Sequence, residues 1–462
     1  MIDTATTVVP RLGAGTAVDV LHVPYTYFPD PSGGTEIYVA GLVEALRSHG
    51  IFGAVAAPGE REAAYDHDDV SVRRFPVTHD ALLAHAYGAA DETAARSFGA
   101  LVNDLRPRIV HLHARTAAVS ERLVDIAHEV GAKVVFTYHT PTVSCARGTM
   151  MRLGRAPCDG RLDVARCAGC VLQSHGMPSP FRDVLARLPQ AVGEACGKAG
   201  LAGGAFTALR MPALIGAAHR RFHALIGKID RIVAVCGWVA EMLRLNGVPD
   251  AKLMLCRQGL AGGSAPRASS PCDASRRGAG SALRLGYFGR LDPTKGVDLV
   301  AEAVRLAPDA AVRLDVFGIR QPGSEPYTRR LERAAASDPR IRLLPALHPG
   351  VVGAAMRDSD LVVVPSRWLE TGPLVVLEAF AAGTPVLGAR LGGIAELVSD
   401  NVDGVLVAPD DPPAWAQRVT ALAADPPRVA RLRAGVRPPR TMDEVAREMA
   451  ALYRGMLADD GR

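Results

Sequence analysis

Short apolar runs alternate with helical patterns in one half of the chain and then again in the other, and this constrains the fold most. In the first half Ala17–Val23, Ala54–Ala57, Val70–Phe75, Ile109–Leu112, Lys133–Tyr138 and Arg231–Val235 read as strands. Helical patterns such as Ile37–Leu46, Asp91–Leu105 and Ala117–Val130 separate several of them. That alternation implies an α/β fold with a parallel sheet covered on both faces. A second series starts with strands at Leu283–Phe288, Val312–Phe317, Ile341–Leu344 and Leu361–Val364, and ends with Val405–Val407. Its helices include Val297–Ala307 and Leu374–Ala382. A chain of 462 residues is too long for one core, so two large domains are expected, at 1–260 and 282–435. Residues 261–281 hold Gly, Ser, Ala, Pro and Arg and almost nothing large and apolar, which reads as a linker. A capping box, Thr441 to Glu444, opens a final helix to about Leu457. Segment 436–462 is expected to pack back on the first domain.

The net charge of +5 is mild and its basic residues are scattered, so nucleic acid is not an expected partner. No run of about 18 uncharged apolar residues is present, so no membrane-spanning helix is predicted. The N-terminal residues lack a basic start followed by an apolar core, which predicts a cytoplasmic protein. Pro178–Lys228 has helical composition. Its apolar stretches are read as core cover. The alternative is peripheral contact with the inner face of the cell membrane, beside Arg220, Arg221 and Lys228.

Chemistry concentrates in the stretch Leu361–Leu397. After the strand Leu361–Val364 comes a loop carrying Glu370, and then a helix carrying Glu378. Gly372, Pro373 and Leu374 stand at that helix's N-terminus, where free N–H groups and the helix dipole favour phosphate. Two carboxylates that can accept hydroxyl hydrogen bonds flank an anion site, which suits a sugar nucleotide. Arg290 and Lys295, in the predicted loop Gly289–Gly296, place two cations at a strand's carboxyl end, where a diphosphate would use both. In the first half Gly33 and Gly34 open a helix and would let backbone approach a ligand; simple turn chemistry is the plainer reading. The dinucleotide fingerprint is absent, because Gly13-Ala14-Gly15 precedes the first strand. His139 follows the strand Lys133–Tyr138, at the sheet end where ligands bind. His111 and His113 are weaker candidates beside another strand.

Cys145, Cys158, Cys167 and Cys170 form a cluster whose last two are separated by two residues. Thiolates so spaced can share a tetrahedral metal, so a structural zinc is expected there, with free thiols or a redox pair as the plainer alternatives. The other four of the eight cysteines are scattered.

These residues resemble glycosyltransferase family four, whose members are retaining enzymes of GT-B architecture with two facing Rossmann-like domains. The match runs over nearly the whole chain. Glu370 and Glu378 fit the family's Glu-x₇-Glu signature, GRLDPTKG its basic diphosphate loop, and GGTE its N-terminal Gly-rich loop. The resemblance implies that Arg290 and Lys295 hold the donor diphosphate, beside Gly289. It implies that Glu378 binds the ribose, and that Glu370 binds hydroxyls of the transferred sugar. The backbone of Gly372, Pro373 and Leu374 would lie near the phosphate and sugar. Gly34 would approach the diphosphate from the other domain, and His139 would stand near the sugar. It further implies a nucleotide-diphosphate sugar donor, a glycan, lipid-linked or small-molecule acceptor, and no metal or other cofactor for the chemistry. The Cys-rich insertion at about 145–170 departs from the minimal family pattern. An epimerase of the same architecture and a non-catalytic sugar-nucleotide or polysaccharide-binding protein are the competing readings.

Overall fold

The computed structural model describes residues 18–30, 33–78, 83–201, 203–261 and 281–458. The expected linker, apart from Ala261 and Ser281, lies outside them, as do Cys272, Ala17 and the N-terminal stretch. Two sheets organise the chain. The first is eight-stranded, in the spatial order Leu253–Leu255, Arg231–Ala234, Lys133–Tyr138, Ile109–Leu112, Val20–Val23, Gly53–Gly59, Val70–Pro76 and Ala63–His67. All pairs are parallel except the last, where Ala63–His67 runs antiparallel to Val70–Pro76. The second is six-stranded and parallel, in the order Ile341–Leu344, Val312–Ile319, Leu283–Arg290, Leu361–Val364, Val386–Ala389 and Gly404–Val407.

Central strands such as Ile109–Leu112 and Leu361–Val364 are buried along their whole length. This explains why they read as continuous apolar runs rather than alternating ones. Each fully buried Val, Leu or Ile stabilises the fold by about 1.5–3 kcal/mol. The strand beginning at Leu283 runs on to Arg290, two residues past the expected end, because Gly289 and Arg290 pair with Gly318 and Ile319.

The final helix, Met442–Ala458, begins with the expected reciprocal cap: Thr441 N–H donates to Glu444 Oε2 at 2.8 Å, and Glu444 N–H to Thr441 Oγ1 at 3.3 Å. It packs against the helix Gly34–Ser48, and its Met442, Val445, Met449 and Tyr453 join the core beneath the first sheet. Pro178–Lys228 forms three helices, Ser179–Leu185, Gln190–Lys198 and Gly204–Lys228. The longest buries Met211, Ile215, Phe222 and Leu225, as the core reading expects. Its basic residues turn to the protein: Arg221 donates to the Tyr87 carbonyl and Lys228 to Asp125. Among the described residues no helix is long and apolar enough to cross a membrane.

Candidate active site

In the second sheet the chain order reverses between Leu283–Arg290 and Leu361–Val364. A crevice opens outside the strands' carboxyl ends at such a reversal, and ligands of open α/β sheets bind there. The loops leaving these two strands carry the predicted cations and carboxylates. After Arg290 the backbone turns through Pro293–Lys295, with the Asp292 carboxylate accepting from Thr294 N–H at 2.8 Å. Gly296 has φ 70°, and a Cβ there would stand 2.2 Å from the Pro365 carbonyl oxygen, so glycine alone fits. This close approach brings Lys295 under the loop that follows Val364.

Lys295 Nζ donates to Glu370 Oε1 at 2.6 Å, and Ser366 Oγ donates to the same oxygen at 2.8 Å. The ammonium also lies 4.9 Å from the Trp368 ring centroid, a cation–π distance. Glu370 is only 6% exposed. Its carboxylate is therefore a fixed, charged hydrogen-bond acceptor beside a cation. Arg290 sits half-buried at the strand end, its carbonyl oxygen held by the Tyr287 hydroxyl at 2.6 Å. Gly289, just before it, has φ 157°, and Tyr287 Oη would lie 3.4 Å from a Cβ there. Glu378 lies on the helix Leu374–Ala381. Burial raises its carboxyl pKa, and among the described residues no donor offsets it. A carboxylate in that condition is suited to accept hydroxyl hydrogen bonds from a ligand.

The first sheet supplies the opposing wall. Leu369 N–H donates to the Thr149 carbonyl at 3.1 Å, and the Thr371 hydroxyl donates to the His139 carbonyl. Trp238 Nε1 donates to the Glu370 carbonyl at 2.9 Å. Glu396, on the helix Gly392–Leu397, accepts from Gly237 and Trp238 N–H at 2.7 and 2.9 Å and pairs with Arg257 at 3.2 Å. Gly34 faces across as well, a Cβ there standing 3.3 Å from Leu374 Cδ1. Gly33 is extended at φ 179°, which any residue adopts, and its N–H donates to Glu36 Oε2 at 2.9 Å. The buried Glu36 therefore shapes this loop.

His139 is buried, and both ring nitrogens face protein atoms: Nε2 lies 3.1 Å from His113 Nδ1, and Nδ1 3.4 Å from Gln258 Nε2. Burial lowers its pKa to about 3, so the ring is neutral. Gln258 reaches the helix-start loop, since a Cβ on Gly372 would stand 2.5 Å from its Oε1.

The four clustered cysteines are half-buried free thiols. Cys145 follows a short turn, and Cys158 follows the hairpin of Met151–Arg152 with Ala156–Pro157. Cys167 and Cys170 lie on the helix Val164–Ser174. Leu153 N–H donates to Cys170 Sγ at 3.3 Å. Burial pushes the Cys167 thiol up to about 11, with Cys145, Cys158 and Cys170 adding to the shift. Among the described residues, the group of three or more potential ligands within 4.8 Å of one another is His22, His111 and His113, not these cysteines.

Of the predicted set, Lys295 and Glu370 are in direct contact, while Arg290 stands at the end of the strand before Lys295 and Glu378 on the helix after Glu370. Sequence reasoning missed Ser366, Trp238, Gln258 and Glu396. Ser366 had a local signal, standing four residues before Glu370 in the same loop. The other three act across the cleft and leave none.

Two family models match the chain: "Glycosyl transferase 4-like domain" over residues 33–259 and "Glycosyl transferases group 1" over residues 282–425. A D-inositol 3-phosphate glycosyltransferase of Xylanimonas cellulosilytica is 40% identical over 174 residues, 36% of this chain and 41% of that protein. One from Catenulispora acidiphila is 33% identical over 233 residues, 48% of this chain and 53% of that protein. The chain thus spans about half or less of the curated relatives it matches. Among solved structures, sucrose-phosphate synthase from Thermosynechococcus elongatus superposes with TM-score 0.64 at 18% identity, covering 96% of this chain and 100% of that one. Anabaena HepE in complex with UDP-glucose gives 0.56 at 16%, covering 96% and 98%. These likenesses establish the GT-B fold, two Rossmann-like α/β units facing across a cleft. With one model matching its first half and the other its second, the chain belongs to the group 1 glycosyl transferases.

Proposed function

We propose that this protein transfers a hexose-type sugar from a nucleotide-diphosphate donor to a glycan, lipid-linked or small-molecule acceptor, with retention of anomeric configuration. The observation that carries this reading is the Lys295–Glu370 pair at the second sheet's reversal, between the strand that ends in Arg290 and the helix that carries Glu378. Arg290 and Lys295 would hold the diphosphate and offset its charge as the glycosidic bond breaks. Glu378 would accept the ribose hydroxyls. Glu370 Oε1 is already taken by Lys295 and Ser366, which suits it to orienting sugar hydroxyls rather than to nucleophilic attack. The acceptor hydroxyl would then attack from the face the nucleotide leaves, with the departing phosphate taking its proton. No metal is needed for this chemistry. A nucleotide-sugar panel scored by thermal shift tests the donor site, because a bound donor raises the melting temperature by mass action. No shift with any donor would contradict the reading. Because the relatives are D-inositol 3-phosphate glycosyltransferases, inositol phosphates belong in the acceptor panel.

A structural zinc at Cys145, Cys158, Cys167 and Cys170 is proposed on their shared neighbourhood and on the Leu153 N–H bond to Cys170. Binding would draw the four sulfurs together. Metal analysis of the protein and of C167S/C170S tests it, with one zinc per chain expected and none in the variant.

A cytoplasmic location with peripheral membrane contact is proposed through the helix Ser179–Leu185. There Phe181 and Val184 are 67% and 66% exposed one turn apart, beside the exposed Arg187, while Arg182 is turned onto Asp183. Apolar side chains beside a cation suit an anionic lipid surface. Co-sedimentation with phosphatidylglycerol vesicles, lost in F181S/V184S, is the expected result.

A further inference from the structure

Beneath the cleft, four residues form a hydrogen-bonded row. Gln258 Nε2 lies 3.4 Å from His139 Nδ1, His139 Nε2 3.1 Å from His113 Nδ1, and His113 Nε2 3.0 Å from His22 Nδ1. All four side chains are buried. Each ring-to-ring link joins the Nε2 of one ring to the Nδ1 of the next. His111 stands beside the row but outside it, with its nitrogens 2.7 Å from the Tyr453 and Thr137 hydroxyls.

A neutral imidazole has one N–H and one lone pair. A ring engaged at both nitrogens must donate at one and accept at the other. An amide N–H can only donate, so Gln258 makes His139 accept at Nδ1 and donate from Nε2. His113 must then accept at Nδ1 and donate from Nε2, which leaves the His22 proton on Nε2 too. If the amide turned by half, its oxygen would accept from His139 Nδ1–H, and the same logic would put all three protons on Nδ1. The two ends of the row are open: Gln258 Oε1 and His22 Nε2 are buried and make no hydrogen bond among the described residues. One open end lies at Gly372, on the helix-start loop of the crevice, where a Cβ would meet Gln258 Oε1 at 2.5 Å. Burial holds the His22 and His139 pKa values at about 3 and that of His113 well below the usual range, so the rings stay neutral at neutral pH.

We infer that Gln258, His139, His113 and His22 act as one relay, in which the three imidazoles share a single tautomer set by the Gln258 amide at the cleft. Gln258, His113 and His22 are thereby positioning residues for His139. A ligand hydroxyl that donates to Gln258 Oε1 reinforces the arrangement with protons on Nε2. A phosphate oxygen, which needs an N–H, favours the reverse. The relay stands on this geometry alone; only its kinetic consequence rests on the proposed transfer activity.

Long-range ¹H–¹⁵N correlation on the full chain labelled at histidine reads each tautomer directly. The expected result is Nε2–H for His22, His113 and His139 together. In Q258E, whose carboxylate accepts from His139, all three should move to Nδ1–H while His111 is unchanged. Should Q258E not fold, Q258L serves in its place, and its three rings should still share one tautomer. Mixed tautomers among the three in wild type or in Q258L, or a response confined to His139 in Q258E, would overturn the inference. In kinetics, H22F is expected to lower kcat several-fold with donor KM unchanged. Absence of transfer in wild type would count against the proposed function and leave the tautomer result standing.

Discussion

Lys295 Nζ and Glu370 Oε1 lie 2.6 Å apart across the mouth of the crevice, with the carboxylate almost fully buried. The pair links a cation on one strand's exit loop to a carboxylate on another's. Removing one partner of a buried pair leaves an uncompensated charge, which costs more than the pair itself contributes. With Lys295 partly exposed, K295A is expected to destabilise the fold by about 2–3 kcal/mol, below the fully buried range. K295A/E370Q should recover most of that stability and none of the activity. Urea unfolding of the two variants measures the difference. Equal stability of K295A and wild type would contradict the reading of the pair.

Glu396 fastens the two sheets by accepting two backbone N–H bonds from the start of the helix Gly237–Leu245. Charge-assisted bonds of this kind contribute roughly 1.5–3 kcal/mol. E396A should widen the cleft, seen as a larger radius of gyration by solution scattering, and raise donor KM about tenfold or more. An unchanged radius of gyration would show that other contacts hold the cleft shut.

Gly372 and Gly34 separate close packing from tolerance. A methyl on Gly372 meets Gln258 Oε1 at 2.5 Å and Cδ at 2.8 Å, whereas one on Gly34 meets only the flexible tip of Leu374 at 3.3 Å. G372A is therefore expected to lower kcat/KM by at least tenfold and G34A by less. The reverse order would contradict the geometry of this loop.

The buried imidazoles predict acid sensitivity. His22 and His139 are depressed to about 3 by burial, while the unfolded chain binds their protons near pH 6.5. A depressed pKa contributes stability that is present above the unfolded value and is lost as pH falls toward the folded one. Each such group should cost about 1.4 kcal/mol per pH unit between roughly 6.5 and 3. The pH dependence of unfolding measures the linked protons, and H22F should reduce their number by about one.

The fold was legible wherever strands are buried on both faces. Leu361–Val364 has its predicted bounds because a fully buried strand is written as an unbroken apolar run; Ile109–Leu112 and Lys133–Tyr138 also keep theirs, with His111 and Thr137 as buried polar exceptions. Ala63–His67 was missed because it is an antiparallel edge strand with no fully buried residue, so its sequence carries little apolar pattern. Val386–Ala389 was hidden behind a helix stop signal at Gly383 and Pro385. Within the site, charged residues on strand-exit loops announced themselves by position. Gln258 and Glu396 could not, since their roles come from contacts between distant parts of the chain that only the assembled cleft creates.

Retaining transfer from a nucleotide-diphosphate sugar bound in this crevice is tested most directly by the anomeric configuration of the product. Proton NMR of the reaction, with the donor identified by thermal shift, follows the anomeric signal as it appears. The product should carry the donor's configuration, with turnover in K295A reduced by about 10²-fold or more. A product of inverted configuration, or undiminished turnover in K295A, would contradict this reading.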